Sequence, residues 1–260
     1  MILSWREDRW QTEASLFDAW NLDRDHREIL SLTGGGGKTT VIRRLQKECM
    51  ERHIFHGIAT TTHMQYEKNE SFLGIPSLES FLRIYEKYGT VWMGEPVSEE
   101  KMAGLPEEFL RQVIHAGAWL LLEADGAKCL PVKAPEEHEP VILPETTRVI
   151  QVYGLDGLDQ PINKRCFRSH KVAEILGKKE SDQLTEADLA VLAASPQGGR
   201  KLVGDRSYHV ILNKADTPQQ LRRAMTVGEK MLEYGISQVA ITSHLLEDTD
   251  KGRKIWHLEY

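Results

Sequence analysis

Cysteine is scarce in this chain: there are three in 260 residues, Cys49, Cys129 and Cys166, far apart and with no C-x-x-C pair. That excludes a disulfide framework and suits a reducing compartment. Long apolar runs are missing too. The strongest, Ala118 to Leu122, is far shorter than the roughly 20 residues that span a bilayer. Residues 1–10 mix tryptophan with Arg, Glu and Asp, which denies them the apolar core of a signal peptide. The expectation is a cytoplasmic protein with no membrane contact. A basic excess is also absent. The formal net charge is −6, whereas affinity for a polyanion comes mostly from clustered Lys and Arg, so no nucleic-acid surface is expected. The length allows a sizeable core without staples, and one domain over 1–260 is expected.

What is present begins at Glu28 to Thr40, which reads E-I-L-S-L-T-G-G-G-G-K-T-T and runs into a helical pattern over Val41 to Arg52. An apolar strand that breaks into glycines and then Lys-Thr-Thr is the sequence form of a loop that cradles phosphates. Glycines at Gly34, Gly35, Gly36 and Gly37 let backbone N–H groups approach an anion, and the following helix presents its positive end to the same anion. Lys38 supplies a mobile charge for the outer phosphates, Thr39 a hydroxyl for a phosphate-bound magnesium ion, and Thr40 completes the run. The usual G-x-x-x-x-G-K-[ST] spacing would need glycine at position 32, where this chain has Leu32, so the pattern is a compressed G-x-x-G-K-T from Gly34 to Thr39. The segment resembles the shorter loop of the amide-forming ligases of cell-wall synthesis.

A second acidic motif fits the first. Residues 119–126 read W-L-L-L-E-A-D-G, an apolar strand ending in acids, where a carboxylate is needed to hold magnesium or its water. Glu123 and Asp125 are two apart and so face the same way on a strand. Asp125 and Lys38 are the candidate catalytic pair; Thr39, Asp125 and Glu123 are the candidate metal contacts. Thr60, Thr61, Thr62 and His63 close an expected strand over His56 to Thr62, where they would point into a ligand crevice or serve only strand propensity.

The remaining chain sorts by periodicity. Residues 12–22 carry apolar side chains at helical spacing with Thr12 as N-cap, and Trp5 and Trp10 before it read as a cover over the core. Helices are expected over Ser77 to Tyr88 and Pro106 to His115, and strands over Thr90 to Met93 and Arg148 to Gly154. Thr185 and Asp188 form a capping box ahead of Leu189. An irregular segment at about 126–147, with four prolines between Lys128 and Pro144, reads as neither strand nor helix. Lys128, Lys133, His138 and Glu139 in it are candidates for substrate or metal contact. Cys166 and His170 have metal-ligand spacing, but without a second pair they read as a buried thiol beside a surface histidine.

Tyr208 to Asp216 reads Y-H-V-I-L-N-K-A-D, and its N-K-x-D resembles the guanine-recognition motif of GTP-binding proteins. Asp216 can accept from the ring N–H and the exocyclic amine of guanine, the Lys214 stem can lie over the base, and Asn213 can tie this loop to the phosphate loop. Adenine lacks that donor pair, so a buried Asp216 would be left unsatisfied against it, at a cost of about 1–3 kcal/mol or more. The last strand, Gln238 to Thr242, ends at Ser243-His244, where such proteins place a second base-contacting loop.

Taken together, T-G-G-G-G-K-T-T, A-T-T-T-H, the run from L-L-E-A-D-G to E-E-H-E-P, the Arg168 region and L-N-K-A-D resemble the family of selenium-dependent hydroxylase accessory proteins, also called YqeC. The resemblance implies a P-loop-type protein linked to maturation of selenium-dependent molybdenum hydroxylases. The alternation of strands and helices requires crossovers, so the fold expected is α/β, a P-loop NTPase-like mostly parallel sheet with helices on both faces. The reading favoured is binding and slow hydrolysis of Mg-GTP, with GTPase placed ahead of ATPase and turnover switching the grip on a client enzyme or its cofactor. The rivals are an ATP-dependent small-molecule transferase or ligase, and a nucleotide-sensing binding protein without turnover. Oligomeric state is left open, a homodimer included.

Overall fold

A computed structural model describes residues 1–66 and 69–243. Ten strands join in one sheet: β1 (Ile2–Arg6), β2 (Arg9–Thr12), β3 (Ile29–Gly34), β4 (His56–Thr60), β5 (Phe72–Leu73), β6 (Val91–Met93), β7 (Trp119–Glu123), β8 (Arg148–Gly154), β9 (Ser207–Asn213) and β10 (Val239–Thr242). They lie in the order β2-β1-β10-β9-β8-β3-β7-β4-β6-β5. Every pairing from β10 across to β5 is parallel. Only the hairpin β1–β2 and its junction with β10 run antiparallel. The central strands are buried along their length, which is why β3 and β7 read as near-continuous apolar runs and not as alternating ones.

The helices are α1 (Leu16–Trp20), α2 (Lys38–Glu51), α3 (Leu78–Tyr88), α4 (Glu107–His115), α5 (Ile162–Arg165), α6 (Ser169–Leu176), α7 (Glu186–Ala194) and α8 (Pro218–Glu233). Successive strand residues point to opposite faces, and the core divides accordingly. Leu32, Leu121, Ile150 and Ile211 meet α1 and α2 through Leu16, Val41 and Leu45. On the other face Leu120 and Leu122 pack under α3 and α4 through Phe81 and Phe109. Val149, Val210 and Leu212 there pack under α6, α7 and α8 through Val172, Leu189 and Leu221. The chain is therefore α/β with a mostly parallel sheet and helices on both faces, as its sequence led one to expect.

Local signals explain most boundaries. Ser77 caps α3 by accepting from the Ser80 N–H, Thr185 and Asp188 form the capping box of α7, and Thr217 caps α8 with Pro218 in its first turn. The largest departures from the sequence expectation are these. Thr12 does not cap a helix over 12–22: it ends β2, and Ser15 caps the short α1. The strand expected over His56 to Thr62 stops at Thr60. The irregular segment contains a short strand, Val132–Lys133, paired in parallel with Cys166–Phe167. Trp10 is buried, with the Trp5 ring edge-on to it at 5.3 Å, consistent with a covering role.

Because β3, β7, β8, β9 and β10 run in parallel, their carboxyl ends open on one edge of the sheet, where ligands of open α/β sheets collect. Gly34 to Gly37, Glu123 to Asp125, Gly154, Asn213 to Asp216 and Ser243 all sit there. No helix among the described residues is long and apolar enough to cross a membrane.

Candidate phosphate site

The glycine loop is shaped by what packs on it. Gly36 has φ +72° and Gly37 φ +111°, both in the left-handed region. A Cβ on Gly36 would lie 2.1 Å from the Gly154 nitrogen, so no larger residue fits between the loop and the end of β8. The Gly35 N–H donates to Val152 O at 3.0 Å and the Gly36 N–H to Leu130 O at 3.1 Å, which fixes the outer wall of the loop. From Gly37 the chain enters α2, whose amino end has no side-chain cap. The first N–H groups of a helix lack intrahelical acceptors and carry the positive end of its dipole. Lys38, Thr39 and Thr40 lie on that first turn.

Lys38 is buried, and its ammonium donates to Gly34 O at 2.5 Å. The same nitrogen lies 3.1 Å from Asp125 Oδ1 and 3.8 Å from Glu123 Oε1, so the two acids of the β7 end do face one way, toward the loop. Burial opposes the charge on Lys38, but Asp125 and Glu123 outweigh it and its pKa is raised. Burial pushes the Glu123 carboxyl up against the lowering pull of Lys38 and of the Thr39 hydroxyl, which donates to Glu123 Oε2 at 3.0 Å. Asp125 Oδ2 accepts the Gly34 N–H at 3.0 Å, whereas Oδ1, buried, faces Lys38 as an ion pair without hydrogen-bond alignment.

The irregular segment supplies the far side of Asp125. Lys133 donates to Gly126 O at 2.8 Å and to Glu139 Oε2 at 2.5 Å, and lies 3.0 Å from Asp125 Oδ2. Arg168 grips Glu139 with both terminal nitrogens, at 2.5 and 2.9 Å, and reaches Glu136 at 3.2 Å. Although burial alone would raise Glu139, these two cations hold its carboxyl down at about 2. The result is a string of alternating charge: Glu123, Lys38, Asp125, Lys133, Glu139, Arg168. A narrow cleft beside the loop is lined by Thr33, Asp125, Lys133 and Gln151. Sequence reasoning named Lys133 and Glu139 only as candidates and did not name Arg168 as a site residue. The pairing of strand 132–133 with 166–167 brings Arg168 there, and only its place in the basic run 164–171 hinted at it.

Asn213 is buried. Its amide donates to Gly36 O at 2.8 Å and its oxygen accepts from Thr242 Oγ1 at 2.9 Å, so it ties the ends of β9 and β10 to the loop. Lys214, at φ +68°, sends its ammonium to Asp156 Oδ2 at 2.9 Å. Asp216 is half-buried and accepts from Ser243 Oγ at 2.6 Å; His244 lies outside the described residues.

Other candidates are placed elsewhere. Thr60 donates to Glu123 O at 2.9 Å and Thr61 to Val141 O at 2.7 Å, so both stitch strand ends and loops together. Lys128 is exposed with its ammonium 5.2 Å from the Phe167 ring centre, and His138 is exposed. Cys166 sits in its short strand, buried, with its thiol pushed up to about 12 by that burial. His170, exposed, lies on α6.

Magnesium would find hard oxygen donors in Thr39 Oγ1, Glu123 and Asp125 Oδ1, the last paired with Lys38 but without a hydrogen bond. No group of three or more His, Cys, Asp or Glu that could hold a metal ion occurs among the described residues.

The family model described as "YqeC protein" matches residues 30–170, a span that includes the glycine loop, the Glu123–Asp125 strand end, Lys133 and Arg168. A protein of Escherichia coli (strain K12) bearing the name "Uncharacterized protein YqeC" is 28% identical over 183 residues, covering 67% of this chain and 71% of that protein. No solved structure matches.

Proposed function

This chain belongs to the YqeC family, and from that premise we propose that it binds a magnesium nucleotide, GTP ahead of ATP, and hydrolyses it slowly as a switch. The client of that switch is a selenium-dependent molybdenum hydroxylase or its cofactor. One observation carries the nucleotide reading. Lys38 begins an uncapped helix after a glycine loop, and two buried carboxylates from the neighbouring strand hold it. A lysine needed only for packing would not be set at the positive end of a helix beside two acids.

In this reading the first-turn amides of α2 and the Lys38 ammonium bind phosphate oxygens. Thr39 and Asp125, with Glu123 behind Thr39, hold magnesium. Magnesium would offset the charge that develops on the phosphates. Asn213 keeps the base loop registered to the phosphate loop, and Asp216 reads the base edge while Ser243 restrains it. ATP-dependent transfer to a small molecule is the second reading, favoured by the polar cleft beside Asp125 and Lys133.

Equilibrium binding of GTP and of ATP to the wild type and to Asp216→Asn separates the two. The substitution should weaken GTP about tenfold or more and leave ATP unchanged. Equal affinity for GTP before and after it would demote N-K-A-D to a turn and move the transferase to first place.

A further inference from the structure

We propose that Lys133 is a positioning residue for the phosphate loop: it fixes Asp125 and supplies the counter-charge that lets Lys38 leave that carboxylate for a phosphate. The inference rests on the nucleotide reading above and names the residue on which the freedom of Lys38 depends.

Asp125 is 2% exposed and lies between two ammonium groups. Lys38 stands 3.1 Å from Oδ1, while Oδ2 takes the Gly34 N–H at 3.0 Å and Lys133 at 3.0 Å. The two lysines differ in their hydrogen bonds: Lys133 makes two and Lys38 one. Lys133 donates to Gly126 O and Glu139 and pairs with Asp125 at 3.0 Å, and Glu139 is itself clamped by Arg168. Lys38 has one short bond, to a carbonyl of its own loop, and two longer ion pairs. Lys133 is therefore the fixed cation and Lys38 the movable one. A buried carboxylate stripped of every cation is strongly disfavoured. If Lys38 alone faced Asp125, turning toward a phosphate that arrives without a metal ion would strip it. With Lys133 on Oδ2, Asp125 keeps a partner throughout, and so does the Gly34 N–H at the root of the loop.

The test uses inorganic pyrophosphate without magnesium as the phosphate probe and the Gly34 amide as an internal reporter. Lys133→Met should weaken pyrophosphate about tenfold or more. Adding Asp125→Asn to it should return much of that loss, because no carboxylate then needs a cation, and Lys133→Arg should bind within a few-fold of wild type. The Gly34 amide resonance should shift and exchange faster in Lys133→Met and recover in Lys133→Arg. In the wild type, saturating pyrophosphate should leave Gly34 protected from exchange, a reading that needs no variant to fold. Unchanged pyrophosphate affinity in Lys133→Met, an unmoved Gly34 amide, or loss of Gly34 protection on adding pyrophosphate to the wild type would each overturn the proposal. Wild type that binds neither pyrophosphate, GTP nor ATP would overturn the nucleotide reading, and the Gly34 comparison among variants would still decide whether Lys133 holds Asp125.

Discussion

The two ends of the central sheet both bury charge, yet they bury it differently. At the carboxyl end lies the string from Glu123 to Arg168. At the amino end, Arg148 donates to Glu28 Oε1 through Nε and Nη2, at 2.9 and 2.7 Å, and Thr147 Oγ1 donates to the same carboxylate. His209 stacks edge-on against Trp20 at 5.4 Å and contacts Ser207 Oγ at 2.8 Å. Each end also leaves buried polar atoms without a hydrogen bond, among them Asp125 Oδ1 above and His209 Nδ1 and Trp20 Nε1 below. Neither burial nor an orphaned atom marks a site by itself. What distinguishes the carboxyl end is its setting: a buried lysine on the first turn of an uncapped helix, facing Asp125 Oδ1 beside a glycine loop. The amino end joins β3, β8, β9 and α1 to one another.

The comparison breaks most plainly if the amino end also governs ligand binding. Arg148→Met removes the cation from Glu28 and should cost about 3 kcal/mol of stability, read by chemical denaturation, because it strands a buried carboxylate. Nucleotide affinity of the folded variant should equal that of the wild type; a matching loss would show that the two clusters act as one.

A smaller effect comes from acid. Burial and the Arg148 charge hold His209 at about 3, below its ordinary 6.5, and burial lowers His56 as well. Such a histidine is neutral in the fold but takes a proton in the unfolded chain once the pH drops below 6.5. Its contribution is therefore complete above pH 6.5 and is lost toward pH 3, at up to about 1.4 kcal/mol per pH unit. Glu139, held at about 2 against an ordinary 4.5, contributes above pH 4.5 and loses that contribution as the pH falls toward 2. The window from 6.5 to 4.5 thus reports the histidines together with Glu123, whose carboxyl burial raises above 4.5 and whose effect has the opposite sign, while Glu139 adds its part only below it. His209→Gln should flatten the upper window in part, His56 supplying the rest; an unaltered slope there would contradict the placement of His209.

Much of the carboxyl end was legible because its signals are local. Four glycines before Lys38, two acids spaced by one residue after an apolar run, and Asn213 after another each need only a few adjacent residues to be read. The fold class followed from the alternation of strand and helix patterns in the same way. The pairing of Lys133 with Asp125 and of Arg168 with Glu139 was not legible. The second joins residues 29 apart through an irregular segment with no periodicity, and only the short parallel strand pair registers them. The first hairpin was missed for another reason. Glu7 and Asp8 turn it with φ +50° and +59°, where Asn-Gly or Asp-Gly would have announced such a turn. Without that signal, the apolar spacing of residues 12–22 read as one long helix, although Ser15 starts it and Asn21 ends it in a left-handed cap.

The central claim is that Lys38 serves a phosphate, and thermal unfolding of the wild type and of Lys38→Ala, each with and without Mg-GTP, tests it most directly. At about 100 times its dissociation constant a ligand adds roughly 2.7 kcal/mol, a rise of several degrees for a chain of this length. The wild type should show that rise and Lys38→Ala none, while the midpoint of Lys38→Ala without ligand still marks one cooperative transition. An equal rise in both, or none in the wild type with GTP or with ATP, would contradict it.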